Sequence, residues 1–287
     1  MKTWIFFLSF MAFVGVSRAQ EADFEQWKIK RTAELTGEDG WLNLVGLFWM
    51  DPRSPFLEEA NSTLGFAEKA GSATLGKFEF GKDSVWFVGT NLLTQEKNSL
   101  SEPNRTLVFP TEYGSGGVYF KNWKWTIIQR GGIYALRLRD LSHPNLQEFT
   151  PTPTFDYNST FRFPAKLIPR FNQTMHIPNV LGQVISWKVI GVLQFEYQGK
   201  GFELLVLDEL GKLFVLFSDD TSALETYPTG RYLYVNPPDA KGMTLLDFNY
   251  AYNPPCAYTE FATCPIPPKS NRLPFAIHAG EKVPAGH

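Results

Sequence analysis

The sequence predicts a mainly β protein: an antiparallel sandwich or barrel-like core, divided between two β subdomains and preceded by one N-terminal helix. Two hairpin signatures and a train of short β-rich runs lead to this reading. In "WKWTIIQRGGIYALRLRD" two alternating runs rich in β-formers flank Gly131-Gly132, a pair that accepts the positive φ of a two-residue turn. In "FELLVLDELGKLFVLFSDD" residues 208–211 separate two nearly continuous apolar runs, as expected of strands covered on both faces. "TLGKFEF", "SVWFVGT", "GVYFKN", "QVISWKVIGVLQFEYQ" and "GRYLYVN" add further short strands at fairly even spacing.

The N-terminus reads as a targeting signal. Lys2 precedes the apolar run 4–16, and Ser17-Arg18-Ala19 is a small-x-small cleavage site that leaves Gln20 first. The run is shorter than the roughly 20 apolar residues that span a bilayer, and no cysteine near the cut offers a lipid-anchor site. The expectation is an exported protein, periplasmic or secreted, with no membrane anchor after cleavage. N-x-[ST] sequons stand at Asn61, Asn104, Asn158 and Asn172.

After the signal, "EADFEQWKIKRTAELTG" has helical character. Acidic residues open it, Phe24, Trp27, Arg31 and Leu35 recur on one face, and Gly37 closes it. The expected organisation is therefore a signal over 1–19, a helix over 20–40 and a first β subdomain over 41–150. A Pro-rich connection follows over 151–178, where prolines 151, 153, 164, 169 and 178 allow at most edge strands. A second β subdomain over 179–287 ends in the Pro/Cys-rich stretch "LLDFNYAYNPPCAYTEFATCPIPPKSNRLP".

With 27 basic and 29 acidic residues the formal net charge is −2. That balance and the absence of a basic cluster leave no footprint for nucleic acid. A hydrophobic content of 44% suffices to bury a large core. The chain has no G-x-S-x-G, H-E-x-x-H, Walker A, S-x-x-K or G-x-G-x-x-G pattern, so it points to no cofactor and away from the hydrolases built on those motifs. Its four histidines, His143, His176, His278 and His287, lie far apart and show no metal-ligand spacing.

Polar side chains concentrate late. "FSDDTSALETYPTGRYLYVN" supplies Asp219, Thr221, Thr226, Tyr227 and Arg231, and "LLDFNYAYNPPC" supplies Asp247, Asn249, Tyr252 and Asn253. A carboxylate at a strand end, followed by hydroxyls and an arginine, suits recognition of a small polar or anionic ligand. The competing reading makes the same residues braces: Asp219 caps a turn, Ser222 and Glu225 form a capping box, and Arg231 pairs with Asp219 or Asp247. Cys256 and Cys264 are the only cysteines. In an exported chain a disulfide is their simplest arrangement, with a metal site or two free thiols as the alternatives.

Three stretches, "GWLNLVGLFWM", "FSDDTSALETYPTGRYL" and the C-terminal "LDFNYAYNPPCAYTEFATCPIPPKSNRLPFAIHAGEK", resemble the bacterial and archaeal family known as domain of unknown function 1684 (DUF1684), over about residues 27–282. The matching positions are Asp219, Thr221, Ser222, Thr226, Tyr227, Gly230 and Arg231. They continue with Asp247, Phe248, Asn249, Asn253, Cys256, Cys264, Asn271, Gly280 and Glu281. Ala223 stands where the family usually has glycine, and His278 lies outside the pattern. The family has no established activity, so the resemblance implies a residue set and no reaction. It favours a ligand-binding or catalytic role for Asp219, Thr221, Thr226, Tyr227, Arg231, Asp247, Asn249, Asn253 and Glu281, with the proline-rich stretch as a rigid wall behind them. Three functions fit: a binding module with Arg231 as the anion partner; a hydrolase with Asp219 or Asp247 as general base and Tyr227 or Arg231 stabilising negative charge; and a structural envelope protein.

Overall fold

The structure is a computed structural model that describes residues 4–61, 63–90, 105–110 and 117–285, with side chains from residue 19 onward. The sequon at Asn104 and His287 lie outside the described residues. Helix α1 (Trp4–Thr36) runs unbroken through the expected cleavage position. It stops one residue before Gly37, where the sequence ends its helical face.

By its packing the chain divides into two compact units. One comprises Leu35–Phe149 and Thr259–Ala262; the other comprises Met1–Glu34, Thr150–Tyr258 and Thr263–His287. The first holds strands β1 (Leu44–Trp49), β2 (Phe56–Ala60), β3 (Thr63–Ala67), β4 (Thr74–Phe80), β5 (Val85–Gly89), β6 (Arg105–Phe109), β7 (Val118–Phe120), β8 (Trp123–Arg130) and β9 (Ile133–Asp140). They form two antiparallel sheets, in the orders β1-β9-β8-β7 and β3-β2-β4-β5-β6. The inner faces share one core, in which Trp125 meets the edges of Phe78 and Phe87 at ring separations of 5.4 and 4.8 Å. The β8–β9 hairpin turns through Gly131 and Gly132 at φ 56° and 81°, the left-handed geometry the Gly-Gly pair predicts.

The second unit is one six-stranded antiparallel sheet of β10 (Arg162–Pro178), β11 (Val184–Tyr197), β12 (Lys200–Glu209), β13 (Lys212–Phe217), β14 (Arg231–Val235) and β15 (Met243–Asp247). The order is β14-β13-β12-β11-β10-β15, and the sheet curls as a half-barrel until its edge strands β14 and β15 approach each other. The concave side is filled by Leu193, Phe195, Val206, Val215, Phe217, Leu233 and Leu246. Phe248 caps it, in ring contact with Phe163, Phe195 and Phe217.

The Pro-rich segment departs from expectation. Residues 162–178 are not a connection with edge strands but the 17-residue strand β10, an inner strand of the sheet that pairs with both β11 and β15. Toward β11 its prolines sit at the margins of the ladder. Pro164 precedes the β11 ladder, which starts at Ala165; Pro169 stands at the register break before Gln173; Pro178 is the last residue.

Candidate functional site

The late polar residues fold into three hydrogen-bonded groups in the half-barrel unit. The first is built on the loop between β13 and β14. Asp219 and Arg231 form an ion pair, Nη2 to Oδ2 at 2.8 Å, with both side chains sealed from solvent. Asp219 Oδ1 accepts from the backbone N–H and hydroxyl of Thr221 at 2.8 and 2.6 Å and from the N–H of Ile277 at 3.3 Å. Thr221 in turn meets Thr226 at 2.9 Å. Arg231 spends its other donors on backbone carbonyls: Nη1 on Ala279 and, at 3.4 Å, on Glu281, and Nη2 on Ile277 at 3.1 Å. Burial pulls the guanidinium below its ordinary pKa and Asp219 counters the fall. Both Nη groups of the arginine are thus engaged by Asp219 and the C-terminal segment, while its Nε is buried without a partner among the described residues. Of the two partners the sequence allowed it, the structure selects Asp219.

This loop is not the capped helical turn that Ser222 and Glu225 suggest. Ser222 Oγ accepts from the Asp219 N–H at 3.2 Å, Glu225 points to His278 at 3.1 Å, and the chain turns back through a Ser222–Thr226 bridge. Ala223 takes the left-handed conformation at φ 66°, where the family's glycine is free of strain. Tyr227 is buried, and burial raises its hydroxyl pKa.

The second group joins the C-terminal motif to α1. Glu281, 1% exposed, accepts from Arg31 Nε at 3.0 Å on Oε1, and from the Asn253 N–H at 2.6 Å and the Tyr258 hydroxyl at 3.1 Å on Oε2. Arg31 Nη2 reaches the Asn253 carbonyl at 3.0 Å, and Asn253 Nδ2 donates to the Lys282 carbonyl at 2.7 Å. Burial lowers the Arg31 pKa, but Glu281 and the tyrosines outweigh it and the net shift is upward. Gly280, at φ 79°, makes the approach possible: a Cβ there would stand 2.5 Å from the Ala251 carbonyl oxygen.

The third group surrounds the end of β15. Asp247 Oδ1 accepts from the backbone N–H and side-chain amide of Asn249 at 3.1 and 2.8 Å. Asn249 then clasps the backbone of Asn158 with both amide atoms, at 2.8 and 3.0 Å. Asp247 Oδ2 faces Arg162 Nε at 3.4 Å, too poorly aligned for a hydrogen bond, with Arg162 about a third exposed and Asp247 12% exposed. Burial raises the Asp247 pKa, against the Asn249 bonds and Arg162. Tyr157 and Tyr250 lie within its electrostatic reach, and both have raised pKa values, chiefly from burial.

The proline-rich stretch is the wall behind these groups. Cys256 and Cys264 are joined by a disulfide. Beyond it the chain pairs back onto the end of β10: Val180 N–H donates to the Cys264 carbonyl at 3.0 Å and Ile266 N–H to the Pro178 carbonyl at 3.0 Å. Tyr232, on β14, donates to the Pro265 carbonyl at 2.8 Å. Asn271 is driven between β12 and β13, where its amide bonds Leu205 N–H at 2.7 Å, Leu205 C=O at 3.0 Å and Leu216 C=O at 2.8 Å.

The predicted residues therefore do not converge on one centre. Asp219, Thr221, Thr226 and Arg231 meet; Asn253 and Glu281 meet; Asp247 and Asn249 meet. The first two groups share residues 277–281. Sequence reasoning missed Arg162, which carries no motif, and marked Asn158 only as a sequon. It placed Arg31 only on the apolar face of the helix, where a charge among Phe24, Trp27 and Leu35 was itself the signal.

Residues 147–282 match the model of the family described as protein of unknown function (DUF1684). This is a shorter extent than the resemblance suggested, and "GWLNLVGLFWM" falls outside it. The chain is also similar to the solution NMR structure of an uncharacterised protein of Haloarcula marismortui, with 29% identity, 50% of this chain and 83% of that chain covered, and a TM-score of 0.42. No curated protein matches.

Proposed function

We propose that this chain is an exported binding protein whose DUF1684 region holds a small polar, hydroxyl-bearing molecule at Asp247 and Arg162, against Tyr250 and Tyr157. The observation that carries the reading is the unfinished pairing of Asp247 with Arg162. Arg231 Nε also lacks a partner among the described residues, but that side chain is sealed from solvent, whereas Arg162 Nε faces Oδ2 of Asp247 without a hydrogen bond on side chains that are 32% and 12% exposed. A carboxylate acceptor and a guanidinium donor side by side can hold one ligand hydroxyl each way. The half-buried tyrosines supply flat apolar surface with a polar tip.

This assignment moves the ligand contact away from Arg231, whose Nη donors go to Asp219 and three carbonyls and whose side chain is sealed from solvent. It also favours a neutral polar ligand over a strong anion, because the Asp247 carboxylate stands beside the Arg162 cation. Asp219, Arg231, Glu281 and Asn271 are then the frame that holds β15 and its loop in place.

The test is calorimetric titration of the mature chain with a panel of monosaccharides and polyols, on wild type, Asp247→Asn and Arg162→Leu. Binding by wild type that falls at least tenfold in both variants, at unchanged fold, supports the reading. Binding that survives both substitutions, or no binding across the panel, sinks it.

A further inference from the structure

Arg31 is held the way a bound ligand is held. A carboxylate and a carbonyl take its fork, Glu281 Oε1 and Asn253 O, each at 3.0 Å. Two aromatic rings take its faces, with the guanidinium carbon 4.7 Å from the Tyr252 ring centre and 5.7 Å from that of Tyr258. Planar fork on anion and cation over ring are the two recognition modes that separate a guanidinium from an ammonium. The four receptor groups all come from the C-terminal motif, and the occupant comes from α1, 250 residues away in sequence from Glu281.

The receptor is oriented without its occupant. Glu281 Oε2 is fixed by the Asn253 N–H and the Tyr258 hydroxyl, the Glu281 N–H is bonded to the Ala251 carbonyl at 2.8 Å, and Tyr258 is also tied to Thr152 at 2.9 Å. The helix, for its part, has a second anchor. Phe24 is 1% exposed and packs with Trp27, Tyr157 and Tyr250 at ring separations of 5.6 to 6.1 Å. Removing the Arg31 head would leave α1 seated by that cluster and expose an oriented, unpaired carboxylate in a guanidinium-shaped space.

We propose that Glu281, Asn253, Tyr252 and Tyr258 form a guanidinium-binding site, occupied in this state by Arg31, so that a guanidinium ligand and helix α1 compete for the same place. The site shares no residue with the one at Asp247 and Arg162, although Phe24 of the same helix packs on Tyr157 and Tyr250. An occupant carried on the same chain acts at a high effective concentration, about millimolar for a flexible tether. The wild-type chain therefore holds the site closed to dilute ligand, and it opens when the helix lifts or Arg31 is removed.

The test uses the full chain with Arg31→Ala and methylguanidinium as the ligand, read by thermal unfolding and calorimetric titration. A ligand that binds only the folded state raises its melting temperature by mass action. Methylguanidinium should raise the melting temperature of Arg31→Ala by several degrees and leave wild type unmoved. Methylammonium should do neither, and adding Glu281→Gln to Arg31→Ala should abolish the response. Arg31→Met, which keeps the stem volume, carries the same titration if the alanine variant does not fold. No rise with methylguanidinium in either variant, or an equal rise with methylammonium, overturns the proposal.

Discussion

Arg231 and Asp219 face each other across 2.8 Å with both side chains buried, and the Nη groups of that guanidinium also donate to carbonyls of residues 277–281. The pair therefore fastens the C-terminal segment to the loop between β13 and β14. A buried ion pair gains little over a well-packed apolar substitute, but losing one partner strands the other, at about 3–5 kcal/mol.

Arg231→Lys keeps the charge and loses the fork that reaches several carbonyls at once. It should lower the melting temperature by several degrees, and Asp219→Asn should do the same. Chemical denaturation of the single and double variants would show strong non-additivity. A near-neutral Arg231→Lys would mean that the carbonyl contacts carry no stability.

Asn271 does for β12 and β13 what their own ladder does not. Strand pairing runs from Leu207–Phe214 toward the turn, and beyond it the Asn271 amide replaces the missing partners of Leu205 and Leu216. Asn271→Ala leaves these buried groups unpaired, at about 1–3 kcal/mol for each. The variant should be among the most destabilised single substitutions in the chain. Fast amide exchange at Leu205 in the variant, against slow exchange in wild type, would locate the effect.

How much of this was legible in advance follows from the range of each signal. The β8–β9 and β12–β13 hairpins were readable because alternation and the turn residues lie within about twenty positions of each other. The half-barrel's inner strand β10 was not, because prolines 164, 169 and 178 speak against a ladder until the register of both neighbours is known. The residue list of the site was legible and its grouping was not. Arg31 meets Glu281 across 250 positions and Asn158 meets Asn249 across 91, distances over which periodicity carries no information.

Ala223 is a local departure with a local consequence. It sits exposed at φ 66°, where a side chain costs about 1–2 kcal/mol relative to glycine. Glycine's extra freedom in the unfolded chain returns part of that, about 0.4–1 kcal/mol. Ala223→Gly should be neutral to mildly stabilising, unlike nearly every other substitution in the motif. A loss of stability would place the constraint in the unfolded chain.

The disulfide closes a short loop, with the cysteines eight positions apart. In the loop-entropy account such a bridge contributes about 2.5 kcal/mol. Cys256→Ser with Cys264→Ser should lower stability by that order while leaving the Asn271 and Arg231 contacts in place. Thiol labelling of unreduced, unfolded wild type should modify neither cysteine, and labelling of both would count against the bridge.

Asp247 gives the pH test, and its sign is set by burial. Its folded-state pKa is raised above the ordinary 3.8, so the folded protein holds the proton more tightly than the unfolded chain does. When both states are protonated, at low pH, the group is neutral in the balance. As pH climbs from the ordinary aspartate range through the raised value, the unfolded chain releases its proton first and folding loses stability. Above that window the loss is complete and constant. The difference in melting temperature between wild type and Asp247→Asn should therefore fall as pH rises from about 3.5 toward neutrality and then level off. The amide oxygen introduced by Asp247→Asn can still accept from Asn249, so the variant keeps the clasp on Asn158 and removes only the charge. A difference that grows with pH instead would mean that pairing with Arg162 outweighs burial and that the pair is closed. The proposed ligand contact would lose its basis with it.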